Sequence, residues 1–297
     1  MTLKYKVLPF AFLLAGASSL SVADENLFGY VKGSEVLPKG ATELYQIVTQ
    51  RSDKGIGKYT AYNTITELEY GVTDRFTVAA ELKGQSIDTS GILIDGYMPK
   101  DAKYGLKYQG FEVSAKYNFL SPALDDFGLS MITGFSYDVV DPHSGQDKDT
   151  MSFDFGLQAQ KYFMEGQLIW VANIYTEGTR ATRKHIDNLP EDFEWPEAME
   201  VEIEFGAGTG LSYRFAPNWF FGVETQYETE YETEVAMERN SVFAGPSLHY
   251  GGEEFWATLT WFDQIRGGGE RAEGQPEGYH LIEKTKEEVR LKVGFNF

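Results

Sequence analysis

Two clusters of acidic side chains are the part of this chain best suited to chemistry. Residues 187–204 contain eight carboxylates and residues 224–238 contain six, and neither cluster contains a Lys or an Arg. Carboxylate oxygens are suitable ligands for hard cations such as Ca²⁺. Dense negative charge also attracts cations without holding a particular one. What the clusters do therefore depends on the elements that carry them and on which carboxylates face one another.

The bulk composition excludes several classes of site. The chain carries a formal charge of -19, and binding to nucleic acid needs clustered Lys and Arg, so we expect no nucleic acid partner. It contains no Cys, which excludes disulfides, thiolate metal sites and cysteine nucleophiles. Aromatic residues make up 15% of the chain, yet the mean hydropathy is -0.34. These two values fit together if each strand is apolar on one face only.

The N-terminus has the pattern of a secretory signal peptide. Lys4 and Lys6 precede an apolar run at 7–17, and a small-residue cleavage site follows at 21–23. The apolar run is too short to span a bilayer as a helix. We therefore expect a cleaved signal peptide at 1–23, a periplasmic lead at 24–40 and a barrel domain at 41–297.

From residue 41 onward, short alternating segments are separated by turn residues. The last segment, 287–297, places Val, Leu and Phe side chains on one face and Arg290 and Lys292 on the other, because successive strand side chains point to opposite faces. Twelve such segments are predicted as strands: 41–50, 60–70, 76–82, 111–119, 129–137, 151–159, 168–174, 201–213, 219–223, 242–250, 255–264 and 287–297.

The connections between these segments alternate in length. Every second connection is short, at 71–75, 121–127, 164–166, 216–218 and 251–254, and the others are longer. Short turns on one side and long loops on the other are typical of outer-membrane barrels. The sequence therefore predicts an all-β fold, a transmembrane antiparallel up-and-down β-barrel of twelve strands. Its short turns are expected in the periplasm and its long loops outside the cell.

This barrel places the two acidic clusters on neighbouring strands. The turn at 216–218 brings four glutamates of the polar face into two directly opposed pairs, Glu204 with Glu230 and Glu202 with Glu232. Like charges opposed across a ladder are destabilising. A bound cation, a raised pKa or full hydration has to relieve them. The four glutamates are thus a weak candidate Ca²⁺ site, and the alternative is that they lie in water at a negative extracellular mouth.

Basic side chains share the polar faces with these acids. Arg214, Arg290 and Lys292 are expected in the lumen together with the four glutamates. Twelve strands lie between eight, which side chains fill, and sixteen, which leave an aqueous channel. The lumen is therefore either a narrow polar pore or is closed by opposed charges and an inward-folded loop.

One segment carries residue types used in nucleophilic catalysis. Asp141-Pro142-His143-Ser144-Gly145 places His143 and Ser144 next to each other in a loop. Adjacent residues in an extended chain point to opposite faces, and an Asp/Pro/Gly sequence is an ordinary turn. We interpret the segment as a turn, and we expect neither an enzyme nor a cofactor.

Several motifs resemble an uncharacterised family of proteobacterial outer-membrane β-barrel proteins, a porin-like domain of unknown function. They are ENLFGYV at 25–31, LPKG at 37–40, TELEYGVTDRF at 66–76, YRFAPNWF at 213–220, GPSLHYGGE at 245–253 and EVRLKVGFNF at 288–297. The resemblance implies a barrel and supplies no catalytic or ligand residues. The terminal Phe297 also resembles the C-terminal signal of outer-membrane barrels, which implies contact with periplasmic chaperones and the barrel-assembly machinery during biogenesis.

The sequence thus favours an outer-membrane, porin-like channel for passive passage of small hydrophilic, cationic solutes. The alternative is a closed barrel that acts through its extracellular loops as a structural, adhesive or lipopolysaccharide-binding surface protein. In both cases the expected surroundings are outer-membrane lipid and lipopolysaccharide.

Overall fold

The computed structural model describes residues 26–189, 191–232 and 236–297, and the predicted signal peptide lies outside these residues. The described chain forms twelve strands: β1 Thr42–Ser52, β2 Lys58–Thr73, β3 Phe76–Ser90, β4 Lys103–Leu120, β5 Gly128–Val140, β6 Asp147–Phe163, β7 Leu168–Arg183, β8 Glu200–Ala216, β9 Trp219–Glu232, β10 Ala236–Gly251, β11 Phe255–Gly269 and β12 Glu287–Asn296. None of the described residues belongs to a helix long and apolar enough to cross a membrane.

The strands close into a barrel. Each strand pairs antiparallel with its neighbours in the chain, and β1 pairs with β12 to complete the ring. A closed sheet leaves no free edge, so the backbone N–H and C=O groups of the strands find partners in the wall, as a hydrocarbon environment requires. The predicted twelve-stranded antiparallel barrel is confirmed.

Side chains alternate between the two faces of the wall. In β8, Ile203, Phe205 and Leu211 are exposed on the outer face, whereas Gly210 and Ser212 on the inner face are buried. The outer face of the barrel is rich in exposed Leu, Phe, Tyr and Trp, and the inner face carries most of the buried polar side chains. This is the arrangement of a wall with lipid outside and a polar lumen inside.

The two ends of the barrel differ. At one end, here called the short-turn end, the connections are tight, β1 begins and β12 ends. At the other, the long-loop end, segments 53–57, 91–102, 141–146, 184–199 and 270–286 connect the strands. The loops are shorter than predicted, because β3 continues to Ser90 and β4 begins at Lys103. Ladder hydrogen bonds persist beyond the apolar band, where alternation no longer marks a strand.

The expected periplasmic lead requires a correction. Residues 26–37, here called the luminal segment, lie inside the barrel at its short-turn end. Leu27 and Phe28 are 1% and 0% exposed, and the backbone of the segment is hydrogen-bonded to side chains of the inner wall. The physical reason is that the lumen offers the segment both apolar contacts and polar partners, which water alone does not.

Candidate functional site

The carboxylate of Glu224 on β9 holds the deepest part of the luminal segment. It accepts hydrogen bonds from the backbone N–H groups of Gly29, Tyr30 and Val31, at 2.8, 2.9 and 3.0 Å. The hydroxyl of Thr260 on β11 donates to the same carboxylate at 2.9 Å. Successive backbone N–H groups pointing at one anion form a concave nest, and here the anion belongs to the wall.

Strands β4, β6 and β7 hold the next part of the segment. Asn173 on β7 makes a reciprocal pair with the backbone of Lys32, accepting at 2.8 Å and donating at 2.7 Å. The ammonium of Lys116 on β4 donates to the carbonyl of Gly33 at 2.8 Å, and Gln160 on β6 accepts from the N–H of Ser34 at 2.8 Å. The segment therefore spans the lumen from one side to the other.

Two predicted luminal bases on β12 contact this segment. The guanidinium of Arg290 lies 3.8 Å from the ring centre of Tyr30 and donates to the carbonyl of Gly29 at 3.1 Å. The Tyr30 hydroxyl in turn donates to Glu288 at 2.6 Å. Lys292 donates to the side-chain oxygen of Asn26. Arg290 and Lys292 thus both contact the luminal segment and hold it in place.

Inward-facing glycines leave room for the apolar side chains of the segment. A Cβ on Gly210 or Gly222 would lie 2.7 or 2.8 Å from atoms of the Phe28 ring, and a Cβ on Gly208 would lie 3.1 Å from Cγ2 of Val31. The β8 glycines therefore form a groove into which the segment packs. This is a close approach that any larger residue would obstruct.

Loops close the long-loop end. The Tyr97 hydroxyl donates to Asp141 at 2.9 Å, and the Tyr59 hydroxyl donates to the carbonyl of His143 at 2.7 Å. Tyr59 and Tyr97 belong to a buried apolar cluster that includes Ile92, Ile94 and Met98 of the 91–102 loop. Because 91–102 and 141–146 pack against each other here, the loops cover the lumen. Residues 141–146 form the predicted turn, in which the N–H of Gly145 donates to the carbonyl of Asp141 at 3.0 Å.

A buried lysine connects two of these loops. The Lys54 ammonium, 0% exposed as a residue, donates to the carbonyls of Ile282 and Lys284 at 2.6 and 3.2 Å. Its nitrogen also lies 4.8 Å from the ring centre of Tyr59. Burial lowers the pKa of Lys54 from 10.5 to about 7. The loop at 53–57 and the loop at 270–286 are thereby joined by one side chain.

The predicted glutamate pairs are present in the predicted register. Glu202 lies opposite Glu232, and Glu204 lies opposite Glu230. The row through Glu204 and Glu230 continues across β7 and β6, where Glu177 pairs with Glu204 and Asp154 pairs with Glu177. Four neighbouring strands therefore carry one transverse row of carboxylates, here called the acidic row: Asp154, Glu177, Glu204 and Glu230.

Basic side chains relieve part of this repulsion. Arg239 on β10 pairs with both Glu204, at 2.6 Å, and Glu230. Lys148 on β6 lies 3.2 Å from Glu202 and 3.4 Å from Glu200. The positions that the sequence offered to a hard cation are thus occupied by a guanidinium and an ammonium.

The described residues contain one group of three acids with metal-like spacing. It consists of Glu230, Glu238 and Glu283, whose nearest oxygens lie within 4.8 Å of one another. Arg239 contacts two of them, Glu230 and Glu283, the latter at 3.0 Å. A fixed positive charge inside the group opposes a second cation at the same place.

Residues 20–297 match the model of a family of unknown function, DUF6662. The chain belongs to this family. The predicted membership in an uncharacterised family of outer-membrane-type barrel proteins is thereby confirmed. No curated protein matches the sequence.

Solved structures share the fold at low sequence identity. The COG4313 outer membrane channel from Pseudomonas putida F1 is similar with a TM-score of 0.60 and 15% identity, over 89% of this chain and 98% of that one. The β domain of the Bordetella autotransporter BrkA gives a TM-score of 0.54 and 11% identity, over 88% and 100% of the two chains. The NanC porin gives 0.49 and 11%, over 85% and 98%. The likeness concerns the architecture of the barrel.

The structure separates the predicted luminal residues into three places. Glu202, Glu204, Glu230 and Glu232 lie toward the long-loop end of β8 and β9, and Arg290 and Lys292 lie at the luminal segment. Arg214 is half-buried near the short-turn end, where its N–H donates to the carbonyl of Gln167 at 2.8 Å. The roles proposed for these residues in conduction stay predictions.

Three contributors to the site were not identified from the sequence. Arg239 and Lys148 form ion pairs with glutamates on strands that are not adjacent to their own. Residue spacing along the chain therefore did not predict these ion pairs. The luminal segment was missed because it has no strand alternation. A usable signal was present, since Gly206, Gly208 and Gly210 all fall on the inner face of one strand.

Proposed function

We propose that this protein is an outer-membrane channel for small hydrophilic, cationic solutes, held closed by its luminal segment and its inward-folded loops. The observation that carries the proposal is the acidic row, which sets negative charge across four strands of a polar lumen. A low-dielectric wall focuses such a field and raises the local concentration of cations. The apolar outer face and the likeness in fold to an outer membrane channel support the location.

The way in which the luminal segment is held supports a removable closure. It forms no strand and adds nothing to the ladder of the wall. Its polar contacts are hydrogen bonds to side chains such as Glu224 and Asn173, which water can replace when the segment leaves. A net hydrogen bond in a protein is worth about 1 kcal/mol. The cost of displacement is therefore set by these exchanges together with the lost apolar contacts of Leu27, Phe28 and Val31.

A closed barrel that acts through its loops is the second candidate. Occlusion at both ends favours it, because the luminal segment fills one end and the loops at 91–102 and 141–146 cover the other. Under this alternative the long-loop surface, facing lipopolysaccharide, carries the function and the lumen stays sealed. Under either proposal we expect the exterior to contact outer-membrane lipid. Biogenesis would use periplasmic chaperones and the barrel-assembly machinery.

Ion selectivity in a planar bilayer separates the two candidates. The refolded protein should give channels whose reversal potential in a KCl gradient shows a preference for K⁺. Replacing Glu202, Glu204, Glu230 and Glu232 by Gln should reduce or invert this preference, because four negative charges are lost while Arg239 and Lys148 stay in the lumen.

A matched control neutralises four acids outside the lumen: Asp125, Asp126, Glu253 and Glu254, which are exposed at the short-turn end. This variant should keep the selectivity of the parent protein. Absence of conductance from folded protein, in both the parent and a variant with a released luminal segment, would favour the closed barrel. Folding is verified by heat-modifiable gel migration.

A further inference from the structure

The polar contacts of the luminal segment are made mostly by its backbone. Glu224 accepts from three successive backbone N–H groups, and Asn173 contacts both the N–H and the carbonyl of Lys32. Further wall side chains donate to the carbonyls of the segment: Thr258 to Asn26, Arg290 to Gly29, Lys116 to Gly33 and Asn118 to Ser34. Every peptide has these backbone groups, so the wall can hold a peptide chain without reading most of its sequence.

Asn173 makes the contact that is most specific for a peptide. It accepts from the N–H of Lys32 at 2.8 Å and donates to the carbonyl of the same residue at 2.7 Å. Each peptide residue other than proline offers one such donor and one such acceptor. An ammonium ion offers donors only. The reciprocal pair therefore suits a peptide better than a simple amine or a metal ion.

Two aromatic side chains of the segment have matching surfaces in the wall. The Phe28 ring lies against Gly210 and Gly222, where a Cβ would come within 2.7 and 2.8 Å of it. The Tyr30 ring stacks on Phe262 of β11, with 4.2 Å between the ring centres and 19° between the ring planes. The wall thus offers surfaces for aromatic side chains that are two residues apart in a bound chain.

Lys32 is the only basic residue among residues 26–37, and it lies where the lumen is negative. It lines a cavity of about 240 Å³ together with three carboxylates, those of Glu112, Asp154 and Glu177. Opposite charges attract more strongly in a low-dielectric interior than in bulk water. The luminal segment therefore places its one positive charge in the acidic part of the lumen.

We propose that the lumen is a binding site for short peptides that carry a basic side chain, and that the luminal segment occupies this site as a built-in competitor. In peptide recognition, main-chain hydrogen bonds supply affinity and side-chain pockets supply specificity. Glu224 is only 3% exposed, and a solute with a peptide backbone restores the hydrogen bonds that it loses when the segment leaves. The proposal rests on the proposed function, because it names the class of cationic solute that the channel takes.

A full-length variant in which a Gly/Ser sequence of equal length replaces residues 26–37 should present the site empty. Isothermal titration calorimetry with a synthetic peptide of residues 26–37 then measures binding to the wall. The variant should bind this peptide. The parent protein should bind it about tenfold more weakly or worse, because a tethered segment competes at an effective concentration on the order of millimolar.

Phe28→Ala loosens the segment in a second way and leaves the wall unchanged. It removes the ring that lies against Gly210 and Gly222. This protein should therefore bind the peptide more tightly than the parent does. Folding of both variants is verified by heat-modifiable gel migration.

Recognition of the backbone is tested by methylating the peptide nitrogens that correspond to Tyr30 and Val31. This removes two N–H groups that donate to Glu224, and binding should weaken about tenfold or more because charge-assisted hydrogen bonds are lost. Glu224→Gln, added to the Gly/Ser variant, should weaken binding of the unmodified peptide. Glu202→Gln is the matched control in the wall, since Glu202 pairs with Lys148, and it should leave binding unchanged.

The class of solute is tested with an unrelated peptide, Ala-Ala-Phe-Ala-Tyr-Ala-Lys-Ala, which keeps the spacing of Phe28, Tyr30 and Lys32. The Gly/Ser variant should bind it. The same peptide with Glu in place of Lys should bind about tenfold more weakly or worse, because a negative charge then meets the carboxylates of the lumen.

The proposal is overturned if the Gly/Ser variant and Phe28→Ala both fail to bind the peptide of residues 26–37 at millimolar concentration. It is also overturned if the methylated peptide binds as well as the unmodified one, or if the unrelated peptide binds no better with Lys than with Glu. Calorimetry needs no ion flux, so absent conductance would count against the channel and not against this site. Cation-selective conductance without peptide binding would refute the site and leave the channel intact.

Discussion

The ring of Phe28 occupies the space above Gly210 on the inner face of β8, where a Cβ would come within 2.7 Å of the ring. The wall is therefore shaped to receive the luminal segment at this point. The same strand receives Val31 at Gly208, and β9 receives the Phe28 ring at Gly222. The groove exists because glycines have no side chain. Replacing one of them by a small residue such as Ala can therefore obstruct the groove without altering the strands of the barrel.

Gly210→Ala should release the luminal segment. The added methyl group overlaps three atoms of the Phe28 ring, and overpacking of this kind costs about 1–3 kcal/mol. We expect a higher open probability in planar bilayers, with unchanged heat-modifiable migration. Gly178→Ala is the matched control, because a Cβ there meets no atom within 4 Å. Equal conductance of the two variants would contradict the proposed fit between Phe28 and Gly210.

Glu224→Gln should loosen the segment from the other side. The carboxylate accepts from three successive backbone amides, and an amide side chain offers only one oxygen to them. Losing a charged acceptor costs about 2 kcal/mol. Hydrogen exchange of the amides of residues 29–31, followed by mass spectrometry, should therefore become more than tenfold faster. Glu202→Gln should leave this exchange unchanged, and similar protection in both variants would count against the anchor.

Closure of the loops should depend on pH through Lys54. Burial lowers its pKa to about 7 in the closed conformation, whereas an exposed lysine keeps a value near 10.5. Between these values the open conformation binds more protons than the closed one, so the closed conformation gains stability as the pH rises. Below about pH 7 the ammonium is charged in both, and this contribution is constant.

The open probability should therefore fall as the pH is raised from 7 to 10. Below pH 7, Lys54 should contribute no change in open probability. Lys54→Met keeps the length of the side chain and removes the titration, so its profile should lose this fall. Asp141 and Glu283 act on the same lysine and are unchanged in the variant. Identical profiles for the two proteins would rule out Lys54 as the titrating group.

The strands of the barrel wall could be predicted because apolar and polar residues alternate within the sequence of each strand. The pairing of Glu204 with Glu230 followed from one short turn, since the register of a hairpin is set locally. The partners of those acids were not predictable in this way. Arg239 reaches Glu204, which is on the strand beyond its neighbour, and such a contact depends on the closed curvature of the whole barrel.

The luminal segment escaped prediction for a different reason. Leu27, Phe28 and Val31 do not alternate as strand residues do, so the pattern alone indicated only a lead into β1. Its position is decided by side chains from many strands, among them Glu224 and Asn173, which are brought together only by the fold. The glycines on the inner face of β8 leave space for the luminal segment. They could have been used to predict a packed lumen.

A disulfide between the segment and the wall tests the central claim most directly. A Cβ on Gly208 would lie 3.1 Å from Cγ2 of Val31, a separation that is compatible with a disulfide between cysteines at these two positions. The parent chain contains no Cys, so no other thiol can compete. Single-channel conductance of Val31→Cys/Gly208→Cys should be absent when the pair is oxidised and should appear on reduction. Full conductance with the crosslink shown complete by mass spectrometry would contradict closure of the channel by the luminal segment.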